Sequence, residues 1–341
     1  MVQFPVAKLN DFFALIAKDS DVYLPVTNKR TNEAEFSRWT DGVELSDKLN
    51  TLRSAKDFFF PQTENLAQFK MEGKNIEIID VRREHSDFIV FGVRACDAAS
   101  FAILDSVYLC DPVDTYYKDR REHATIITLA CSQSKPTCFC RLFDIDPANP
   151  AGDVSAWITN GTVYLEACTE KGKALVARLD TLAQAASPDA VEPYKKEIAA
   201  VMGKQPFARI NMEKFKGENL LELFNSPKWA HLSQSCLGCG TCTFVCPTCQ
   251  CYDIKDFDTG HGITRFRCWD SCMYSDFTKM AAGNPRLTQL ERFRQRFMHK
   301  LVYHPDNHDG TYGCVGCGRC LAKCPISMNI VKVMKELGED A

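Results

Sequence analysis

Cysteines stand at positions 236, 239, 242 and 246, followed by Pro247, and the same spacing returns at 314, 317, 320 and 324, followed by Pro325. A C-x2-C-x2-C-x3-C-P run leaves a chain little freedom. Three thiols within seven residues must turn toward one point, and the fourth is carried away from it. Two such runs form reciprocal iron–sulfur sites, in which the fourth cysteine of each ligates the [4Fe-4S] cubane held by the other. The expected sets are therefore Cys236, Cys239 and Cys242 with Cys324, and Cys314, Cys317 and Cys320 with Cys246. Gly238, Gly240, Gly316 and Gly318 lie inside these loops, where a missing side chain lets backbone N–H groups approach cluster sulfurs. Four-cysteine zinc is the competing reading, but such sites usually pair two separated C-x2-C knuckles.

The remaining sequence sets the context for those thiols. The chain has 341 residues, 45% hydrophobic and 25% charged, so it can bury ordinary cores in two domains. Its net charge of −3 argues against a dedicated nucleic-acid binder. No apolar run is long enough to span a bilayer, and the N-terminus lacks a signal-peptide pattern. The expectation is a cytoplasmic protein; a reducing cytosol rarely maintains disulfides, so for 18 cysteines metal ligation is the reading that remains.

The expected fold class is mixed, α+β and α/β. An N-terminal α/β domain covers residues 1–205, and a mainly helical, ferredoxin-like domain covers 206–341 with a long insertion at 247–313. In the first, Leu9, Phe12, Phe13 and Ile16 recur at helical spacing. Strand-like runs follow at 22–24, 76–79, 88–93, 125–129 and 163–165, with a helix expected over 98–109. Residues 181–196, which contain Pro188 and Pro193, read as a tether or an exposed helix pair. In the second domain, helices are expected over 218–224 and 289–302.

Further thiols extend the pattern. Cys249 and Cys251 follow the first run, and Cys268 and Cys272 come later, so a third cluster beside the pair is one reading and buried apolar cysteines another. Cys96 and Cys131 end two strands, with Cys138 and Cys140 in the loop after the second. If those strands are adjacent and parallel, all four sulfurs can meet in an N-terminal cluster. Scattered structural cysteines are the alternative. Cys110 and Cys168 have no partners in sequence.

With these residues in view, the chain resembles the iron–sulfur subunit family that includes the anaerobic sulfite reductase A subunit and the sulfhydrogenase beta subunit. The likeness rests on Arg94-Ala95-Cys96-Asp97, Cys138-Phe139-Cys140, the first run with Cys249-Gln250-Cys251-Tyr252, Trp269-Asp270-Ser271-Cys272, and Cys314-Val315-Gly316-Cys317-Gly318-Arg319-Cys320. The resemblance implies an electron-transfer subunit with several [4Fe-4S] clusters: two from the runs and three to four in all. It implies an FAD/NAD(P)H-binding subunit and a hydrogenase, sulfite reductase or heterodisulfide-reductase-type catalytic subunit as partners. The chain departs from the family pattern at Ala281-Ala282-Gly283-Asn284-Pro285 and in carrying Cys268, which leaves the fourth ligand beside Cys249, Cys251 and Cys272 open.

No G-x-G-x-x-G, P-loop, C-x-x-C-H or H-E-x-x-H motif occurs, so no flavin or nicotinamide is expected on this chain. The seven histidines are scattered, and His261 and His299, within the insertion, are the two to watch. Residues 265–300 hold eight basic residues, including Arg292, Arg296 and Lys300, against three acids. That stretch is a solvated face, a positive field beside anionic clusters, or a docking face. Three functional readings follow: a conducting subunit, a reductase with an open iron site in its N-terminal cluster, and a scaffold with only the paired clusters filled.

Overall fold

Phe88–Val93 is buried at every position, which is the signature of a strand covered on both faces. The structure, a computed structural model, describes residues 1–82, 86–260 and 262–338. Its strands are β1 (Val2–Pro5), β2 (Asp21–Thr27), β3 (Ala34–Arg38), β4 (Thr63–Glu72), β5 (Asn75–Asp80) and β6 (Phe88–Val93). They continue with β7 (Ala124–Leu129), β8 (Val154–Thr159), β9 (Thr162–Ala167), β10 (Gln184–Ala185), β11 (Tyr252–Asp258) and β12 (Ile263–Trp269). The five expected runs and seven further strands fall into two sheets. Eight strands form one in the order β10-β1-β9-β8-β7-β6-β2-β3, and four form the other in the order β11-β12-β4-β5.

The middle of the large sheet, β2-β6-β7-β8, is parallel, and its flanking strands are antiparallel. Helix Leu9–Ile16 packs Phe12, Phe13 and Ile16 on one face, against Phe4, Phe91 and Ile127. Helix Ala95–Tyr108 covers the other with Phe101, Leu104 and Tyr108, joined by Phe59, Phe60 and Trp269. A parallel pair needs a crossover, and helices Ala95–Tyr108 and Thr115–His123 supply it between β6 and β7. The chain therefore leaves both strands at the same edge of the sheet, just before Cys96 and Cys131.

Residues 181–196 are not a tether. They contain β10, a turn of 3-10 helix at Pro188–Val191 and the start of helix Glu192–Met202, which buries Ile198 and Met202. Both prolines occupy first-turn positions, where the absent N–H costs no helical bond.

Helix Gln289–Met298 starts from a Thr288–Glu291 capping box and runs on through a π-helical turn at His299–Tyr303. Phe293, Phe297 and Leu301 line its inner face and meet Trp229, Leu232 and Val333 in a separate core. Residues 247–313 also contribute the β11–β12 hairpin, whose second strand pairs with β4. The small sheet thus joins residues 63–80 to residues 252–269. Among the described residues, no helix is long and apolar enough to cross a membrane.

Candidate iron–sulfur centre

Each cysteine run turns through a left-handed glycine into a short helix. Gly240 (φ 72°) caps Thr241–Phe244, and Gly318 (φ 76°) caps Arg319–Lys323, so Cys242 and Cys320 are presented from first turns. All eighteen cysteines are free thiols. Cys242 is pushed up by burial and by the neighbouring Cys236, Cys246 and Cys239, against the lowering effect of Arg296. Cys324 packs on the same core as Cys236 and Cys242.

The second run surrounds a cavity lined by Cys246, Cys314, Cys317 and Cys320 together with Arg296 and Lys300. The structure therefore brings the fourth cysteine of the first run to the three leading cysteines of the second. Burial pushes the free thiol of Cys314 up to about 11 and that of Cys317 up to about 12. Cys246 is held well below the usual thiol range, chiefly by its hydrogen bond with Cys249 and also by Lys300 and Arg296. A buried thiolate is costly unless a cation or metal stands beside it, and this cavity supplies two cations.

Cys251 and Cys272 form a second hydrogen-bonded thiol pair, and it lowers Cys251 to about 7. Cys249 neighbours Cys272 as well as Cys246, so Cys249, Cys251 and Cys272 form one group that touches Cys246, the last cysteine of the first run. Cys268 lies elsewhere. It alternates with buried Trp269 on β12 and has Lys255, Asp253 and Asp270 as its charged neighbours.

Cys96, Cys131, Cys138 and Cys140 are all buried, and they sit at the ends of the adjacent parallel strands β6 and β7 and in the following loop. Cys140 and Cys138 neighbour Cys131, and Cys140 neighbours Cys96. The Gln205 amide donates to Cys140 Sγ at 3.5 Å. This group packs directly on the second run: Cys96 and Cys140 share an apolar cluster with Val315 and Cys317, and Phe139 N–H donates to Gly316 O at 2.9 Å. The approach is so close that a Cβ on Gly316 would lie 2.4 Å from Phe139 O, and one on Gly318 would lie 2.3 Å from Thr137 O. Only glycine fits at either place. Cys110 and Cys168 are exposed and stand apart.

Among the described residues, no three Cys, His, Asp or Glu side chains converge on a single-ion site. The fit to clusters is tested instead by the charges around the thiols. Lys56 is 2% exposed, Arg296 2% and Lys300 5%. Arg296 donates to Cys249 Sγ at 3.3 Å and to Cys242 O at 2.8 Å, and its Nε has no partner. Lys300 donates to Thr248 Oγ1 at 2.6 Å and Gly313 O at 2.7 Å. Lys56 donates to Cys249 O at 2.9 Å, with its ammonium 3.6 Å from the Trp269 ring centroid. Among the described residues, none of the three makes a carboxylate ion pair. Buried cations without carboxylates require other anions, and clustered thiolates are the anions at hand.

A fourth buried cation is paired. Arg319, inside the second run, makes a bidentate bridge to Asp97, which follows Cys96, and also donates to Thr51 O at 3.0 Å. Asp97 and Arg319 both stand in quoted sequence motifs, yet spacing alone did not mark their pairing. Lys56, Gln205 and Thr248 carried no signal in sequence. The basic stretch is not one face: Arg296 and Lys300 point inward to the thiols, Arg267 is buried between Glu64 and Asp114, and Arg265 pairs on the surface with Asp256. His299 is lowered to about 4, mainly by burial and then by Lys300. His261 lies outside the described residues.

These sites define an iron–sulfur protein of the dicluster class, and the 4Fe-4S dicluster domain family matches residues 235–328. Over 332 residues, covering 96% of each chain, the sequence is 32% identical to sulfhydrogenase 2 subunit beta of Pyrococcus furiosus. The chain belongs to the sulfhydrogenase beta subunit family. No solved structure matches it.

Proposed function

We propose that this protein is the iron–sulfur electron-transfer subunit of an oxidoreductase complex, relaying single electrons between an FAD/NAD(P)H-binding subunit and a catalytic subunit of hydrogenase, sulfite reductase or heterodisulfide-reductase type. A sulfhydrogenase beta subunit is by its name one part of a multi-subunit enzyme, which supports the existence of partners. In this reading Cys236, Cys239, Cys242 and Cys324 hold one cluster, and Cys246, Cys314, Cys317 and Cys320 hold another. Cys96, Cys131, Cys138 and Cys140 hold a third, and Cys249, Cys251 and Cys272 contribute to a fourth. A mainly helical dicluster domain from residue 206 onward is part of the same proposal.

The observation that carries it is the burial of Lys56, Arg296 and Lys300 beside thiols, with no carboxylate ion pair to any of the three among the described residues. Bound clusters supply reversible one-electron chemistry. The chain's own work is to supply thiolates, exclude water and balance charge. At the N-terminal group all four thiols are buried, which favours a closed conducting site over one open to substrate.

Iron and acid-labile sulfide analysis of anaerobically purified protein is the test. About twelve to sixteen irons per chain are expected, whereas paired clusters on an otherwise structural scaffold give about eight. Zinc in place of iron would overturn the reading outright.

A further inference from the structure

The three buried cations differ in origin. Arg296 and Lys300 belong to the helix that lines the second run, but Lys56 comes from far away in sequence. It lies in the 3-10 turn Ala55–Phe58, where its own backbone N–H donates to the Ser54 hydroxyl that caps the turn. From there it inserts between Trp269 and the Cys246–Cys251 loop. Its sequence neighbour Asp57 makes its ion pair with Arg53 at 3.0 Å instead; burial works against the Lys56 ammonium, and the charges of Cys249, Cys246 and then Asp57 favour it. A lysine needed only for packing has cheaper substitutes, since a buried ammonium carries a desolvation cost that a methionine of similar length does not.

We infer that Lys56 is a potential-setting residue for the thiol group Cys249, Cys251 and Cys272, acting with Arg296 and Lys300 as a fixed positive charge that favours the more negative, reduced state of the iron–sulfur centre held there. The inference rests on the proposal that this group holds iron. The physics is Coulombic: a centre that gains an electron beside a buried cation is stabilised, and low local polarisability strengthens the effect. The Lys56 ammonium donates to the backbone of the loop that carries Cys249, so its position is tied to the thiols.

The test is an EPR-monitored redox titration of the full chain, purified anaerobically, with iron content measured alongside. Cys272→Ser identifies the spectral component that belongs to this group. Lys56→Met is expected to keep the iron and to shift that component alone to lower potential, and Lys56→Arg is expected to restore it. Lys300→Met should move the same component in the same direction, which keeps the inference testable if Lys56→Met does not fold. Full iron content with an unmoved titration in both methionine variants would overturn the role of Lys56 while leaving the cluster intact. Loss of the component's iron in Lys56→Met and Lys56→Arg alike would overturn it too, in favour of packing. If Cys272→Ser loses neither iron nor a spectral component, the group holds no cluster, and the inference falls together with its premise.

Discussion

Replacing Asp97 by Asn should cost about 3–5 kcal/mol, the loss seen when one partner of a buried ion pair is removed and the other is left charged. The exposures justify the upper class of effect: Asp97 is 1% exposed and Arg319 4%. Asn keeps the shape of Asp, so no cavity opens and the change is electrostatic. Arg319 retains its bonds to Thr51 but loses a bidentate carboxylate, one arm of which measures 2.7 Å. A chain of 341 residues unfolds with an entropy of about 0.7 kcal/mol per degree if it melts as one unit, so the loss corresponds to about 4–7 °C in melting temperature. Anaerobic calorimetry would read it. The diagnostic step is the double variant with Arg319→Met, which removes the stranded charge and should recover on the order of 1–3 kcal/mol. A single-variant shift below about 1 °C, or a double variant equal to the sum of its singles, would refute the reasoning.

Four other outcomes are expected. Cys96→Ser should remove about four irons per chain while leaving the C-terminal core folded, as judged by iron analysis and circular dichroism. Cys268→Ser should leave iron content unchanged, because that thiol faces Lys255, Asp253 and Asp270 instead of the other cysteines. His299 has its folded pKa lowered from 6.5 to about 4 by burial, so the unfolded chain binds the extra proton between those values. Its contribution is full above pH 6.5 and falls as the solution is acidified, by about 3 kcal/mol at pH 4, and His299→Gln should flatten that slope in denaturant unfolding. Residues 206–341 expressed alone should fail to give a cooperative melt, since β12 loses β4 and Arg267 and Arg319 lose Glu64, Asp114 and Asp97.

What the sequence made legible was mostly local. The runs of β-branched residues at 22–24, 76–79, 88–93, 125–129 and 163–165 all lie in strands, and the periodicity of Leu9, Phe12, Phe13 and Ile16 marks a real helix. Strands β4, β11 and β12 were invisible because their faces mix charges with apolar residues, as in YDIKDFD, and pairing across nearly two hundred residues leaves no local trace. At the site, spacing named the thiols but not their charge partners. Arg296 illustrates the limit. In sequence it belongs to a basic stretch open to docking, yet the helix and the π-helical turn that continues it carry Arg296 and Lys300 round to the buried side. A docking role therefore cannot fall on Arg296.

The connections between the halves share one physical logic. Asp97 meets Arg319, Lys56 meets the Cys249 carbonyl, Phe139 N–H meets Gly316 O, and Glu64 and Asp114 hold Arg267. Each crosses from residues before 205 to residues after it. The cysteine loops are walled on one side by the helices of their own half and on the other by the α/β half, which also supplies a lysine. Three uncompensated cations would be a heavy liability in a core that held only neutral thiols. Thiolates carrying iron reverse the sign of that term, because the same cations then offset anionic charge that would otherwise resist burial. The cations and the iron sites thus account for each other: removing the iron should weaken the fold, and removing the cations should weaken the hold on the reduced state.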